Sequence, residues 1–190
     1  EEPFRLSYFH WPAADGFAGA PVVLLHGSPG DASGMTRLGQ ILNESGREVY
    51  AFDLPGQGRS QGWVESFGAR ATAREIAAAL ETLKVERAHL VGWSWAGVVV
   101  AWMATDEPGR VASMTLLAAT VTQEAEGTGD RAFERTKYAL GYGALVVAPE
   151  LVPHFGLFST LSSRHAFIRN FWDTDFRPMR GVLESLDTPA

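Results

Sequence analysis

A chain of 190 residues with 46% hydrophobic and 20% charged side chains suits one globular domain with a sizeable core. Its formal net charge of −6 excludes the basic surface that nucleic acids and anionic membranes reward, so neither is expected as a partner. With no cysteine, disulfides, thiolate metal sites and a cysteine nucleophile are excluded as well.

Phe4 to Trp11 mixes aromatic and polar residues in rough alternation and reads as an edge strand. Asp15-Gly16 and Gly19 supply the turn after it. Pro21-Val22-Val23-Leu24-Leu25 is a short apolar run, as a parallel strand buried on both faces requires. It empties into His26-Gly27-Ser28-Pro29-Gly30. A helix follows with Leu38, Ile41 and Leu42 on one face and Gly46 as its stop. Glu48 to Phe52 is the next strand, and it leads into Asp53-Leu54-Pro55-Gly56-Gln57-Gly58-Arg59-Ser60.

Thr72-Ala73-Arg74-Glu75 has capping-box spacing and is expected to open a helix whose buried stripe is Ile76, Leu80 and Leu83. Ala88 to Val91 reads as a strand, Val98 to Ala104 as a buried helix, and Pro108-Gly109 as its close. Val111 to Ala119 is one more apolar strand. Strand and helix thus alternate with short links, which predicts a mostly parallel α/β sheet with helices on both faces.

From about Val121 the pattern changes. Residues 121–178 hold nine of the 21 aromatic residues, at helical rather than strand spacing, so a helical insertion over the carboxyl edge of the sheet is expected. Met179 to Leu186 reads as a final core helix, and Asp187 to Ala190 as the lead-in to another strand. The longest nearly apolar stretch, Tyr138 to Val152, is broken by Pro149 and Glu150 and is too short to span a bilayer. No basic-then-apolar leader is visible, which points to a cytoplasmic protein, although Glu1 in place of a start methionine leaves room for upstream sequence.

The richest stretch is Gly92-Trp93-Ser94-Trp95-Ala96-Gly97, a Gly-x-Ser-x-Ala-Gly turn between strand and buried helix. A turn this tight leaves almost no room for side chains around the serine, and Gly92, Ala96 and Gly97 meet that demand. Ser94 would then stand out at the carboxyl edge of the sheet as a nucleophile. The amide of Trp95 would point where an oxyanion forms, and the Trp95 ring would line the pocket while Trp93 packs beneath it. The competing reading is a glycine-bearing turn whose serine only caps a helix.

His26 to Gly30 is the second such site. Gly27 lets backbone approach a ligand, and the Ser28 amide can complete an oxyanion hole, whereas Pro29 has no N–H to offer. His26 reads as structural support, with a plain turn as the alternative. Asp53 to Ser60 matches neither phosphate-loop nor dinucleotide spacing, so Asp53 reads as a structural cap for nearby amides in the floor of the site.

These three loops, in this order, resemble the α/β-hydrolase superfamily, and the tryptophan before the serine resembles several of its small carboxylesterases. The resemblance implies a core at 1–120, a helical cap at 121–178 and a return to the core at 179–190. It implies acyl-enzyme hydrolysis of a small ester by a Ser–acid–His triad, with no cofactor and no metal. A cap rich in aromatics favours an apolar acyl or aryl group. Ser94 in place of aspartate speaks against haloalkane dehalogenases and the usual epoxide hydrolases, and Ala96 in place of the commoner glycine is a small departure.

The base is harder to place. A serine is a weak nucleophile without a base in reach. His10 lies near the N-terminus, His26 in the oxyanion loop, His89 inside a strand, and His154 and His165 in the cap. Glu124 and Glu126 occupy a position some lipases use for the acid, or are solvated linker charges. In the superfamily the acid and the histidine follow strands that come after the cap, so both are expected beyond residue 190. Three alternatives stay open: a hydrolase-fold binding or regulatory module without turnover, a carbon–carbon hydrolase, and an amide hydrolase. Oligomeric state is not legible.

Overall fold

The computed structural model describes residues 4–15, 17–61, 64–122, 131–148 and 161–187. Its framework is a five-stranded sheet in the order β1-β3-β2-β4-β5, with β1 Tyr8–Trp11, β2 Val22–Leu25, β3 Val49–Phe52, β4 Ala88–Trp93 and β5 Val111–Leu117. All neighbours are parallel except β1, which runs antiparallel to β3 at one edge. The fold is therefore α/β with a mostly parallel sheet, as the alternation of elements requires.

The central strands are buried end to end. Every residue of β2 and β3 is buried, which is why their sequences show continuous apolar runs rather than alternation. The edge strand β1 alternates between exposed and half-buried residues. It is shorter than its sequence suggests: β3 ends at Phe52, opposite Tyr8, and one further bond, from Asp53 N to Ser7 O at 2.9 Å, closes the pairing. Arg5 bridges to Gln61 instead.

Helices cover both faces. On one side α2 (Ala69–Thr82), α3 (Ala96–Asp106) and α6 (Met179–Glu184) pack against the larger core cluster, which includes Leu25, Phe52, Ile76, Leu80, Leu90, Val99 and Met179. Helix α3 is apolar nearly all round and almost wholly buried, as a helix enclosed by its neighbours must be. On the other side α1 (Thr36–Glu44) and a 3₁₀ turn at Ala32–Met35 cover Val22, Leu24, Val49 and Ala51. Between β5 and α6 the described residues form α4 (Arg131–Tyr142), which runs into a π-helical turn at Gly143–Val147, and α5 (Leu161–Asp173). Among the described residues no helix is long and apolar enough to cross a membrane.

Three sequence expectations need correction. Helix α2 does not open at Thr72. It begins at Ala69, and Thr72 N donates to Gly68 O at 2.9 Å as its first helical bond. Its leading amides are capped from far along the chain, with Ala69 N donating to Thr174 Oγ1 and Phe67 N to Asp173 Oδ2, both at 3.0 Å. In α1, Leu38 and Leu42 pack inward but Ile41 is 46% exposed. The Trp11 ring lies on Gly39, where an added Cβ would come within 2.7 Å of it, and Ile41, two residues on, falls on the opposite side of the helix. Strand β5 stops at Leu117, because Ala118 adopts φ +44° and turns the chain. Gly16, Phe155, Phe158, Pro149, Glu150 and Thr188 to Ala190 lie outside the described residues.

Candidate active site

Register brings the three loops together. Leu25 pairs with Phe52 on one side and with Gly92 on the other, so β2, β3 and β4 end level and release residues 26, 53 and 94 onto one edge of the sheet. That edge is where open α/β sheets bind ligands.

Ser94 sits in the turn between β4 and α3 with φ +53°, a left-handed conformation costly for a residue with a side chain. The turn is held by Ser94 N donating to Leu117 O, and by Gly97 N and Thr120 N donating to Ser94 O, at 3.0 to 3.1 Å. Gly92 is obligatory. A Cβ there would lie 2.5 Å from the Ala96 carbonyl oxygen, and one on Gly97 would collide with Ala119. Ser94 itself is half-buried.

Gly27 lies against it: a Cβ on Gly27 would stand 3.1 Å from Ser94 Cβ and 3.7 Å from Oγ. The amides of Ser28 and Trp95 donate to no backbone carbonyl among the described residues. Gly30 N, by contrast, is engaged by Gln57 Oε1 at 3.1 Å. Among the described residues, neither the Ser28 nor the Trp95 amide has an acceptor.

His26 is fully buried with both ring nitrogens committed. Leu54 N donates to Nε2 at 3.0 Å, so the proton sits on Nδ1, which donates to Gly27 O at 2.7 Å. Burial pushes its pKa below the ordinary 6.5, against the opposing pull of the Gly27 carbonyl, Asp53 and Asp31. A neutral ring so engaged braces two loops and has no nitrogen left to accept a proton. Asp53 is buried too. Its Oδ1 accepts from Ala32 N at 2.7 Å and its Oδ2 from Arg59 N at 2.9 Å. Gly58, at φ +55°, gives the carboxylate its space, since a Cβ there would strike it.

The two tryptophans exchange their expected places. Trp95 is 0% exposed, with its ring 6.5 Å from that of Phe171, while Trp93 is 41% exposed. The pleat is the cause: Gly92 faces the core, so its neighbour Trp93 faces away and lies over Gly34. The left-handed Ser94 then reverses the chain and drops Trp95 into the core. Among the described residues the Trp95 side chain therefore lines no open pocket.

The other histidines lie elsewhere. His10 pairs with Glu48 at 2.9 Å on the edge strand, His89 with Ser113 Oγ at 2.8 Å between β4 and β5, and His165 with Tyr142 Oη at 3.2 Å. Burial, then the Arg169 charge, lowers the His165 pKa. His154, Glu124 and Glu126 lie outside the described residues. Among the described residues no histidine or carboxylate hydrogen-bonds Ser94 Oγ.

Two residues at the site went unread in the sequence. Gln57 is fully buried, and Asn170 of α5 is 1% exposed. Asn170 Oδ1 accepts from Ser28 Oγ at 2.6 Å and from Gln57 Nε2 at 2.9 Å, and its Nδ2 donates to Phe67 O at 2.8 Å. The available signal was the spacing of Ser163, Ala166 and Asn170, a small and polar stripe that α5 buries.

Relatives agree with this architecture. A proline iminopeptidase of Clostridioides difficile (strain 630) is 32% identical over 104 residues, which cover 54% of this chain and 36% of that protein. A 2-hydroxy-6-oxononadienedioate/2-hydroxy-6-oxononatrienedioate hydrolase of Paraburkholderia phymatum is 38% identical over 101 residues, 50% of this chain and 35% of that one. The matched stretch thus spans little more than a third of either relative. A bromoperoxidase from Bacillus anthracis superposes with TM-score 0.70 at 22% identity, over all of this chain and 76% of its own, a likeness of fold. Residues 20–176 match the alpha/beta hydrolase fold family, and the chain belongs to it.

Proposed function

We propose that this chain supplies the nucleophile and the oxyanion hole of a serine hydrolase acting on carboxylic esters. The observation that carries the reading is the turn at Ser94. A serine in left-handed conformation stands on the sheet edge against a glycine, and the Ser28 and Trp95 amides of the two loops have no acceptor among the described residues. Ser94 Oγ attacks the ester carbonyl carbon, its proton passes to a general base, and the Trp95 and Ser28 amides hold the oxyanion. Collapse expels the alcohol, which takes the proton back, and water then cleaves the acyl-enzyme by the same route. The base and its orienting acid belong outside the described residues. His26 and Asp53 brace the loops. The half-buried aromatics Tyr138, Phe167 and Phe171 of α4 and α5 favour an apolar acyl or aryl substrate. The helices at 131–148 and 161–173 are read as part of the helical cap expected at 121–178.

The test is hydrolysis of aryl esters by the intact protein, together with fluorophosphonate labelling, before and after Ser94→Ala. The variant is expected to lose both, and undiminished turnover would remove Ser94 from the mechanism. Because one relative is a peptidase, amino-acid anilides belong in the same assay, and preference for them would move the reading to amide hydrolysis. A binding module without turnover is the second reading. It is favoured by Ser94 Oγ having no partner among the described residues, and an unlabelled, inactive wild-type protein would establish it.

A further inference from the structure

A buried side-chain amide is costly unless all its hydrogen bonds are made, so a fully buried asparagine on a helix facing a loop calls for a reason. Asn170 makes three, two at Oδ1 and one from Nδ2, and its orientation follows from its partners. Phe67 O can only accept, so the nitrogen must face it and Oδ1 must face Ser28 and Gln57. The Ser28 hydroxyl has one proton to give. Asn170 Oδ1 at 2.6 Å takes it in preference to Gln57 Oε1 at 3.3 Å. Gln57, held by Asn170, in turn accepts from Gly30 N. The loop is therefore gripped on both sides of Pro29, and Gly27 abuts Ser94 on its other flank. Helix α5 is itself moored to the neighbouring loop through Ser162 Oγ, which donates to Gly56 O at 2.9 Å.

We propose that Asn170 is a positioning residue for the oxyanion donor at Ser28. From α5 it holds the Ser28 hydroxyl and so sets the plane of the Gly27–Ser28 peptide whose N–H faces the reacting carbonyl. This rests on the reading of that amide as an oxyanion donor. The physical stake is geometric, because such a donor acts only within about 2.7–3.1 Å of the developing charge. A support released on one side lets the amide drift by tenths of an ångström. The charge exists in the transition state and not in the bound ester, so the loss falls on kcat and leaves KM nearly untouched. Asn170 touches no reacting atom. Its effect passes through Ser28.

The experiment compares Ser28→Ala, Asn170→Ala and the double variant in the intact protein, with p-nitrophenyl butyrate as probe. Ser28→Ala keeps the backbone amide, and it leaves Asn170 Oδ1 bonded to Gln57 Nε2, so no buried acceptor is orphaned. Each single variant is expected to lower kcat about 10- to 100-fold with KM within about twofold. The double variant should be no slower than the slower single, since both changes break one link. Wild-type kcat in either single variant, or losses that multiply in the double, would overturn the proposal. If Asn170→Ala does not fold, the kcat of Ser28→Ala decides alone. Ser94→Ala separates the two levels: activity retained there sinks the nucleophile reading itself, while a dead Ser94→Ala beside fully active Ser28 and Asn170 variants sinks only the positioning role.

Discussion

Gly27 is packed directly on Ser94, with room for a hydrogen at its Cα and little more. An added Cβ would come within 3.1 Å of Ser94 Cβ and 3.4 Å of the Trp93 carbonyl oxygen. Gly27 carries no left-handed φ, so alanine is permitted by the backbone and opposed only by its neighbours. Gly27→Ala should fold with a melting temperature close to the parent and lose about tenfold or more in kcat/KM, because Ser94, the proposed nucleophile, must give way by tenths of an ångström. Melting curves and ester kinetics on the same preparation check this. A variant of full activity would show that the contact is not at the reacting centre.

Gly92→Ala should behave in the opposite manner. Here the Cβ meets backbone, 2.5 Å from Ala96 O and 2.8 Å from its carbon, at the one place where β4 must turn sharply into α3. Nothing flexible can move aside, so the loss should appear as stability, with a melting temperature lowered by several degrees and activity falling with the folded fraction. Thermal unfolding by circular dichroism reads it directly.

How much of this could be read in advance depends on distance along the chain. The apolar runs at Val22–Leu25 and Val49–Phe52 announce strands buried on both faces, and parallel strands that end level place the residues after Leu25, Phe52 and Trp93 on one edge. That is a local pattern plus a topological rule, and both survive. What failed was set by partners remote in sequence. The start of α2 depends on Asp173 and Thr174, more than 100 residues away, and Ser28 meets Asn170 at a separation of 142. The exchange of Trp93 and Trp95 has a different cause. Alternation predicts which way a strand residue points, but it stops applying at the left-handed residue, and Ser94 is that residue.

Trp93 and Trp95 should therefore differ sharply on truncation. Trp95→Ala removes a fully buried indole from the main cluster and should cost about 3–5 kcal/mol of stability. Trp93→Ala, at a residue 41% exposed, should cost under about 1 kcal/mol. Urea unfolding of the two variants separates them, and equal losses would contradict the assigned burial.

Asp53 offers a test of the loop brace that leaves the chemistry aside. Asp53→Asn keeps shape but turns one acceptor into a donor, which must face either Ala32 N–H or Arg59 N–H, both of which now donate to it. One bond is lost and two donors are opposed, for an expected cost of about 1–3 kcal/mol. Denaturant midpoints measure it, and a neutral substitution would mean that water takes over one of the amides.

The pH dependence of stability follows from His26. Its folded-state pKa is lowered by burial, so as pH falls the unfolded chain takes up the proton first. The contribution of the neutral ring is complete above about pH 6.5, and it is lost as pH falls from there through the folded-state value. His165, lowered by its own burial and then by Arg169, adds to the same slope. The Asp31 and Asp106 carboxylates, lowered by their bonds to Ser33 and Arg70, act only further into acid, below their ordinary 3.8. Unfolding free energies measured between pH 7.5 and 5 should fall for the wild type. In His26→Asn they should start lower, because Leu54 N–H loses its acceptor, and then fall less steeply. An unchanged slope in His26→Asn would mean that the ring is protonated in the folded protein, and the Leu54 N–H to Nε2 bond could not then exist.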